Sequence, residues 1–166
     1  MFILLVTTST NAVRAALERE KTIKLLTIDC ATLGVNVLEA IERIFHDSIP
    51  DLLITYRCPY ILPKRIFEQC HIGSFNIHPS LLPKYPGLNP WDKIFHNKER
   101  ESGVTLHQMT KHVDAGNIIF QSSFIIEESD TVESARMKAD GIAAELALKL
   151  IYQYKSYESL HFAVEQ

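Results

Sequence analysis

The segment Ser74-Phe-Asn-Ile-His-Pro-Ser-Leu-Leu-Pro-Lys-Tyr-Pro-Gly-Leu-Asn-Pro90 changes character midway. Residues 72–77 (Ile-Gly-Ser-Phe-Asn-Ile) read as a short strand with Phe75 and Ile77 apolar on one face. Asn76 and His78 are two apart, so an extended chain aims both to one side. After His78 come Pro79, Pro83, Pro86 and Pro90 with Gly87 among them. Proline fixes φ and cannot donate to a sheet ladder, so this part is a stiff, shaped loop. A polar pair at the C-terminal end of a strand, followed by such a loop, is where α/β sheets place ligand sites. The alternative is a surface loop with an incidental Asn and His.

Outward from this segment the chain alternates strand and helix patterns. Residues 2–7 form a continuous apolar run, as a parallel strand covered on both faces would. Thr7 to Asn11 turns the chain, and Ser9 or Thr10 can cap a helix reaching about Glu20. Residues 23–28 read as a second strand. Residues 33–46 carry Val37, Leu38, Ile41, Ile44 and Phe45 at helical spacing. Residues 51–56 are a third strand, followed by the loop 57–63 and a helix to about Gln69. Beyond the proline loop, 91–97 reads as helix, 102–110 and 117–126 as strands, and 131–154 as a long amphipathic helix. That helix opens on a capping pattern of Ser129, Asp130, Thr131 and Glu133. These elements specify one α/β domain over 1–154, Rossmann-like with a mainly parallel sheet and helices on both faces, and a tail over 155–166.

Composition narrows the function classes. A chain of 166 residues with 46% hydrophobic content supports one domain with a sizeable core. A formal net charge of −3 argues against a nucleic-acid surface. Met1 to Val6 is too short to span a membrane and lacks the features of a signal peptide. Cys30, Cys58 and Cys70 are odd in number and in no metal-ligand spacing, as expected of reduced thiols in a cytoplasmic protein.

Asn76-Ile-His-Pro-Ser-Leu-Leu-Pro-Lys-Tyr-Pro-Gly87, with Gly103-Val-Thr-Leu-His107 and Asp114-Ala-Gly116 downstream, resembles the catalytic domain of formyltransferases that use 10-formyltetrahydrofolate. The similarity is strong from about Asp51 to Ile126. The resemblance implies formyl transfer to an amine, with Asn76, His78 and Asp114 as the catalytic set and no metal. In that reading Asn76 donates to the formyl oxygen as it gains charge. His78 donates as imidazolium and moves protons. Asp114 raises the pKa of His78. The resemblance also places Pro59, Tyr60, Ile61 and Leu62, with Asn76, around the folate, where backbone groups flanked by apolar side chains can read a flat heterocycle.

Two departures bear on the acceptor. Family members acting on glycinamide ribonucleotide hold its phosphate on a glycine-rich turn, where this chain has Ser9-Thr10-Asn11. That stretch is either an anion site at a helix start or plain helix capping. The segment between the second and third strands is also shorter than in the family by about one strand–helix unit. With no second domain following, these features point to a small amine such as an amino sugar nucleotide rather than tRNA. Glycinamide ribonucleotide, simple hydrolysis of the formylfolate, and a non-catalytic folate- or partner-binding role are the alternatives. A dimer face could come from 118–126 or the C-terminal segment.

Other chemistries fit the residues less well. His78 and His107 lack further ligands at metal spacing. Ser80, His78 and Asp114 form a hydrolase triad in composition, but Ser80 is in no Gly-x-Ser-x-Gly turn. Thr105 and His107 are expected to shape the site wall or the core.

Overall fold

The computed structural model describes residues 1–8 and 11–164, with side chains through Ser156. Its strands are β1 (Phe2–Thr7), β2 (Lys24–Asp29), β3 (Leu52–Tyr56), β4 (Gly73–His78), β5 (Glu101–Gln108) and β6 (Ile118–Ile125). Its helices are α1 (Ala12–Arg19), α2 (Cys30–Leu33), α3 (Val37–Asp47), α4 (Lys64–Phe67), α5 (Pro90–His96) and α6 (Val132–Val164). The strands form one sheet in the order β2-β1-β3-β4-β5-β6. The pairs β1–β2, β1–β3 and β3–β4 are parallel, whereas β4–β5 and β5–β6 are antiparallel. The chain thus has the expected mainly parallel, Rossmann-like α/β fold.

Alternation along the strands sends their side chains into two cores. Ile3, Leu5, Leu52, Ile54, Phe75, Ile77, Val104 and Leu106 pack with α1, α5 and α6. Leu4, Val6, Ile28 and Leu53 pack on the other face with α2, α3 and α4. In α6, Ala135, Ala139, Ala143 and Ala147 recur every four residues and are fully buried. Four-residue spacing keeps them on one side of the helix, and their size lets its backbone lie close to the sheet.

Three local expectations are modified. The helix expected over 33–46 is divided by a 3-10 turn at Gly34–Asn36, because α2 ends on Gly34 at φ 54. That left-handed geometry suits glycine and interrupts a continuous helix. At the start of α6, the reciprocal partner of Thr131 is Ser134: each backbone N–H donates to the other's hydroxyl, at 2.9 and 3.2 Å. The helix also continues past Tyr154 to Val164, so most of the expected tail is helical. Tyr152, on its last described turns, donates to Glu20 Oε2 at 2.6 Å and ties the helix to the end of α1.

The connection from β2 to β3 holds α2, the 3-10 turn and α3 with no strand among them, and β2 is one edge of the sheet. The other edge is β6, with Ile118 and Ile125 exposed. Among the described residues, no helix is long and apolar enough to cross a membrane.

Candidate active site

Asn76 and His78 occupy the face of β4 opposite Phe75 and Ile77. On this face α3 and α4 pack over β1, β3 and the start of β4, where buried Ser74 donates to the Phe67 carbonyl at 2.6 Å, and Asn76 and His78 lie further along the strand. Asn76, His78 and His107 line a cavity of about 570 Å³. Its polar side chains come from neighbouring strands in register: Thr55 lies beside Asn76 on β3, and His107 beside it on β5.

The Asn76 side chain is fully oriented. Its Oδ1 accepts from the Thr55 hydroxyl at 2.7 Å. Its Nδ2 therefore faces the opposite way, 3.2 Å from Asp114 Oδ1 and 3.1 Å from His107 Nε2. His107 Nδ1 lies 3.0 Å from the Gln108 carbonyl, which can only accept, so this nitrogen carries a proton. His107 Nε2 thus lies within hydrogen-bond reach of the Asn76 amide.

His78 is fixed from two sides. Its Nε2 donates to the Tyr85 carbonyl at 2.8 Å, and its Nδ1 is 3.4 Å from Asp114 Oδ2. Burial lowers the His78 pKa, with His107 adding to the effect, and outweighs the upward pull of Asp114 and the Tyr85 carbonyl. Asp114 does pull the His78 pKa upward, as the sequence-based expectation has it, but burial sets the net direction. Because the ring is buried, the charged form loses more hydration than the carboxylate restores.

Asp114 joins these groups. It sits at φ 53 in the connection between β5 and β6, and its Oδ2 accepts from the Gly87 N–H at 2.7 Å. His107 Nε2 is 3.3 Å from its Oδ1. Burial alone pushes the Asp114 carboxyl up, but His107, His78 and the Gly87 N–H together bring its pKa below the usual value. Its loop is held by a close approach at Gly116, where an added Cβ would lie 1.8 Å from the Gln108 carbonyl oxygen.

The proline loop is built around β5. Thr105 Oγ1 donates to the Ser80 carbonyl at 2.7 Å and accepts from Leu82 N at 3.1 Å. Gln121 reaches from β6 to the Leu82 carbonyl at 3.0 Å. Ser80 is fully buried and its hydroxyl donates to the Lys84 carbonyl at 2.7 Å. A serine spent on its own loop is not a nucleophile facing the cleft.

Pro59, Tyr60, Ile61 and Leu62 all line the cavity, as do Trp91, Leu88 and Val113. Ile61, Leu88 and Val113 are 76%, 72% and 53% exposed and give the cavity an apolar rim. Ser9 and Thr10 lie outside the described residues. Asn11 is buried and caps α1, with Oδ1 accepting from Arg14 N at 3.0 Å and Nδ2 donating to Thr7 Oγ1 at 2.7 Å. Its side chain serves the helix and does not line the cavity.

A model of the family described as "Formyl transferase" matches residues 2–149. The chain belongs to the formyl transferase family. Among its relatives, the methionyl-tRNA formyltransferase of Macrococcus caseolyticus is 40% identical over 113 residues, covering 68% of this chain and 36% of that protein. The bifunctional polymyxin resistance protein ArnA of Wigglesworthia glossinidia brevipalpis is 45% identical over 89 residues, 54% of this chain and 14% of that one. This formyl transferase chain therefore spans little more than a third of these relatives at most. A phosphoribosylglycinamide formyltransferase structure from Anaplasma phagocytophilum superposes with a TM-score of 0.68 at 25% identity, covering 92% of this chain and 87% of that one.

Thr55 is a site residue that sequence reasoning passed over in this formyl transferase domain, whereas His107, expected to shape the site wall or the core, lines the cavity and reaches Asn76 and Asp114. Thr55 carries no local signal, since its role depends on β3 lying beside β4. His107 does carry one. It alternates with Leu106 and thus shares a face with Thr105, toward the proline loop.

Proposed function

We propose that this chain transfers the formyl group of 10-formyltetrahydrofolate to the primary amine of a small acceptor. The observation that carries the reading is the Asn76 amide, whose oxygen is engaged by Thr55 so that its N–H groups face His107 and Asp114, with His78 against the other oxygen of that carboxylate. The formylfolate supplies an activated one-carbon acyl group. The wall formed by Pro59 to Leu62, with the exposed apolar rim of Ile61, Leu88 and Val113, suits a flat heterocycle and its aromatic extension.

When an amine attacks the formyl carbon, negative charge gathers on the carbonyl oxygen, and an oriented amide N–H in a buried site stabilises it. The oxygen must displace Asn76 from His107 or from Asp114 to receive that bond. His78, with its pKa lowered, is ready to accept a proton from the attacking amine at Nδ1, since Nε2 is already donating to Tyr85. The imidazolium so formed then lies beside the Asp114 carboxylate, which stabilises its charge. Its proton is then available to the departing folate nitrogen. The amine loses one proton, the leaving nitrogen gains one, and His78 and Asp114 end as they began.

For the acceptor we infer an amino sugar nucleotide, ahead of glycinamide ribonucleotide, because the turn after β1 carries no glycine between Thr7 and Asn11. Release of tetrahydrofolate should require an amine, and should be fastest with the amino sugar nucleotide in a panel that includes glycinamide ribonucleotide. Turnover with glycinamide ribonucleotide alone would overturn the choice of acceptor. Equal release with and without amine would replace the transferase reading with a hydrolase.

A further inference from the structure

The sequence scatters Cys30 and Cys58, but the fold brings their sulfurs to 3.7 Å. Cys30 is the first residue of α2, directly beyond β2; Cys58 lies two residues beyond β3. The strand between them is β1, so the two thiols meet over its C-terminal end. Their environments differ. Cys30 is buried in the core beneath α3. Cys58 is half-buried on the loop 57–62, lines the cavity, and lies 3.6 Å from the Tyr60 carbonyl.

We propose that Cys30 and Cys58 form a peroxide-sensitive dithiol whose disulfide reshapes the cavity wall at Cys58 to Leu62 and weakens ligand binding there. A disulfide needs a sulfur separation of about 2.05 Å, so the pair must close by more than an ångström. Cys30 is held in the core, and the Asp29 carboxylate caps α2 by accepting from Ala31 N at 2.8 Å. Cys58 is on irregular backbone, so most of the movement falls on its loop. Closure draws the Cys58 sulfur away from the Tyr60 carbonyl and pulls on the residues that follow.

The roles of the two sulfurs are distinguishable. The hydrogen bond from Cys30 lowers the Cys58 pKa, while that same bond and burial raise the Cys30 pKa. Cys58 is thus the thiolate that attacks a hydroperoxide. Its sulfur takes one peroxide oxygen as the O–O bond breaks, giving a sulfenic acid and an alcohol, or water when hydrogen peroxide is used. The Cys30 sulfur then attacks the sulfenic sulfur; the S–S bond forms and hydroxide leaves as water with the Cys30 proton. Two thiols lose two electrons and two protons, and the peroxide is reduced. A thiol reductant reverses the change.

The effect on binding rests on the proposed formylfolate site, whereas the dithiol itself does not. The full chain is treated with hydrogen peroxide, and its cysteines are then mapped by peptide mass spectrometry. Affinity for a non-transferable folate analogue is measured before oxidation, after it, and after dithiothreitol. The expected result is a Cys30–Cys58 disulfide, an affinity loss of about tenfold or more, and recovery on reduction. Cys30→Ser should bind the analogue like the wild type and lose the oxidative effect; Cys30→Ala takes its place if the serine variant folds poorly. Oxidation confined to Cys58 or Cys70, with Cys30 still a thiol, overturns the proposal. So does a Cys30–Cys58 disulfide that leaves affinity unchanged. If the reduced protein does not bind the analogue, the formylfolate reading fails; hydrogen exchange across residues 57–62 then decides whether the disulfide displaces the wall.

Discussion

Replacing Asp114 by asparagine keeps its shape and removes its charge. The carboxylate now accepts from Gly87 N–H at 2.7 Å and from Asn76 Nδ2 at 3.2 Å. An asparagine has one oxygen. If that oxygen stays on Gly87, its amide group faces the Asn76 amide, donor against donor. Losing one charge-assisted hydrogen bond costs about 1.5–3 kcal/mol, but the variant no longer buries a carboxylate, so a net loss of about 1–2 kcal/mol is expected. In a chain of this size that lowers Tm by about 2–8 °C. The catalytic loss should be much larger, because His78 loses the group that stabilises its protonated form; a general acid–base contribution of about 100-fold or more in kcat is at stake. Asp114 also pulls the His78 pKa upward, so the acid limb of the kcat profile should move to lower pH in the variant. Amine-dependent tetrahydrofolate release across pH, alongside a thermal melt, measures all three. A variant within about threefold of the wild-type kcat, or an acid limb that does not move, would refute the roles given to Asp114 and His78.

Thr55→Val removes the hydroxyl on Asn76 Oδ1 and should lower kcat by about tenfold with KM for the formylfolate little changed, an effect separable from binding by steady-state kinetics. Gly116→Ala forces a Cβ against the Gln108 carbonyl and should cost about 2–4 kcal/mol in denaturant unfolding while displacing Asp114. Stability should also depend on pH in one direction. The folded pKa values of His78 and Asp114 both lie below their ordinary values of 6.5 and 3.8. The unfolded chain therefore binds more protons as pH falls, and stability is full above about pH 6.5 and declines through His78 and then Asp114 on acidification. Chemical unfolding between pH 8 and pH 3 checks this, and a rise in stability on acidification from pH 6.5 would contradict it.

Much of this was legible in the chain. The apolar run of β1, the alternation in β4 and the proline loop each follow from local pattern, and the motif residues Asn76, His78 and Asp114 do converge. What escaped depends on long-range neighbours. Thr55 matters only because β3 is paired with β4, and the Cys30–Cys58 contact spans β1. The direction of the His78 pKa needed burial as well as charge, and a sequence displays only the charge. Helix ends were misjudged where a positive φ at Gly34 breaks a periodic pattern, and where α6 continues beyond the domain boundary expected at Tyr154.

The Asp114 carboxylate takes two of its partners from far along the chain: Asn76 is 38 residues away and Gly87 is 27. Contacts of such sequence separation form late, after the strands that carry them have paired. A polypeptide ending after α5 would contain Asn76, His78 and the whole proline loop, yet hold neither Asp114 nor His107. Recovery of activity during refolding should therefore lag behind helix formation and track completion of the antiparallel half of the sheet. In a split version of the domain, turnover would report that the two fragments have joined.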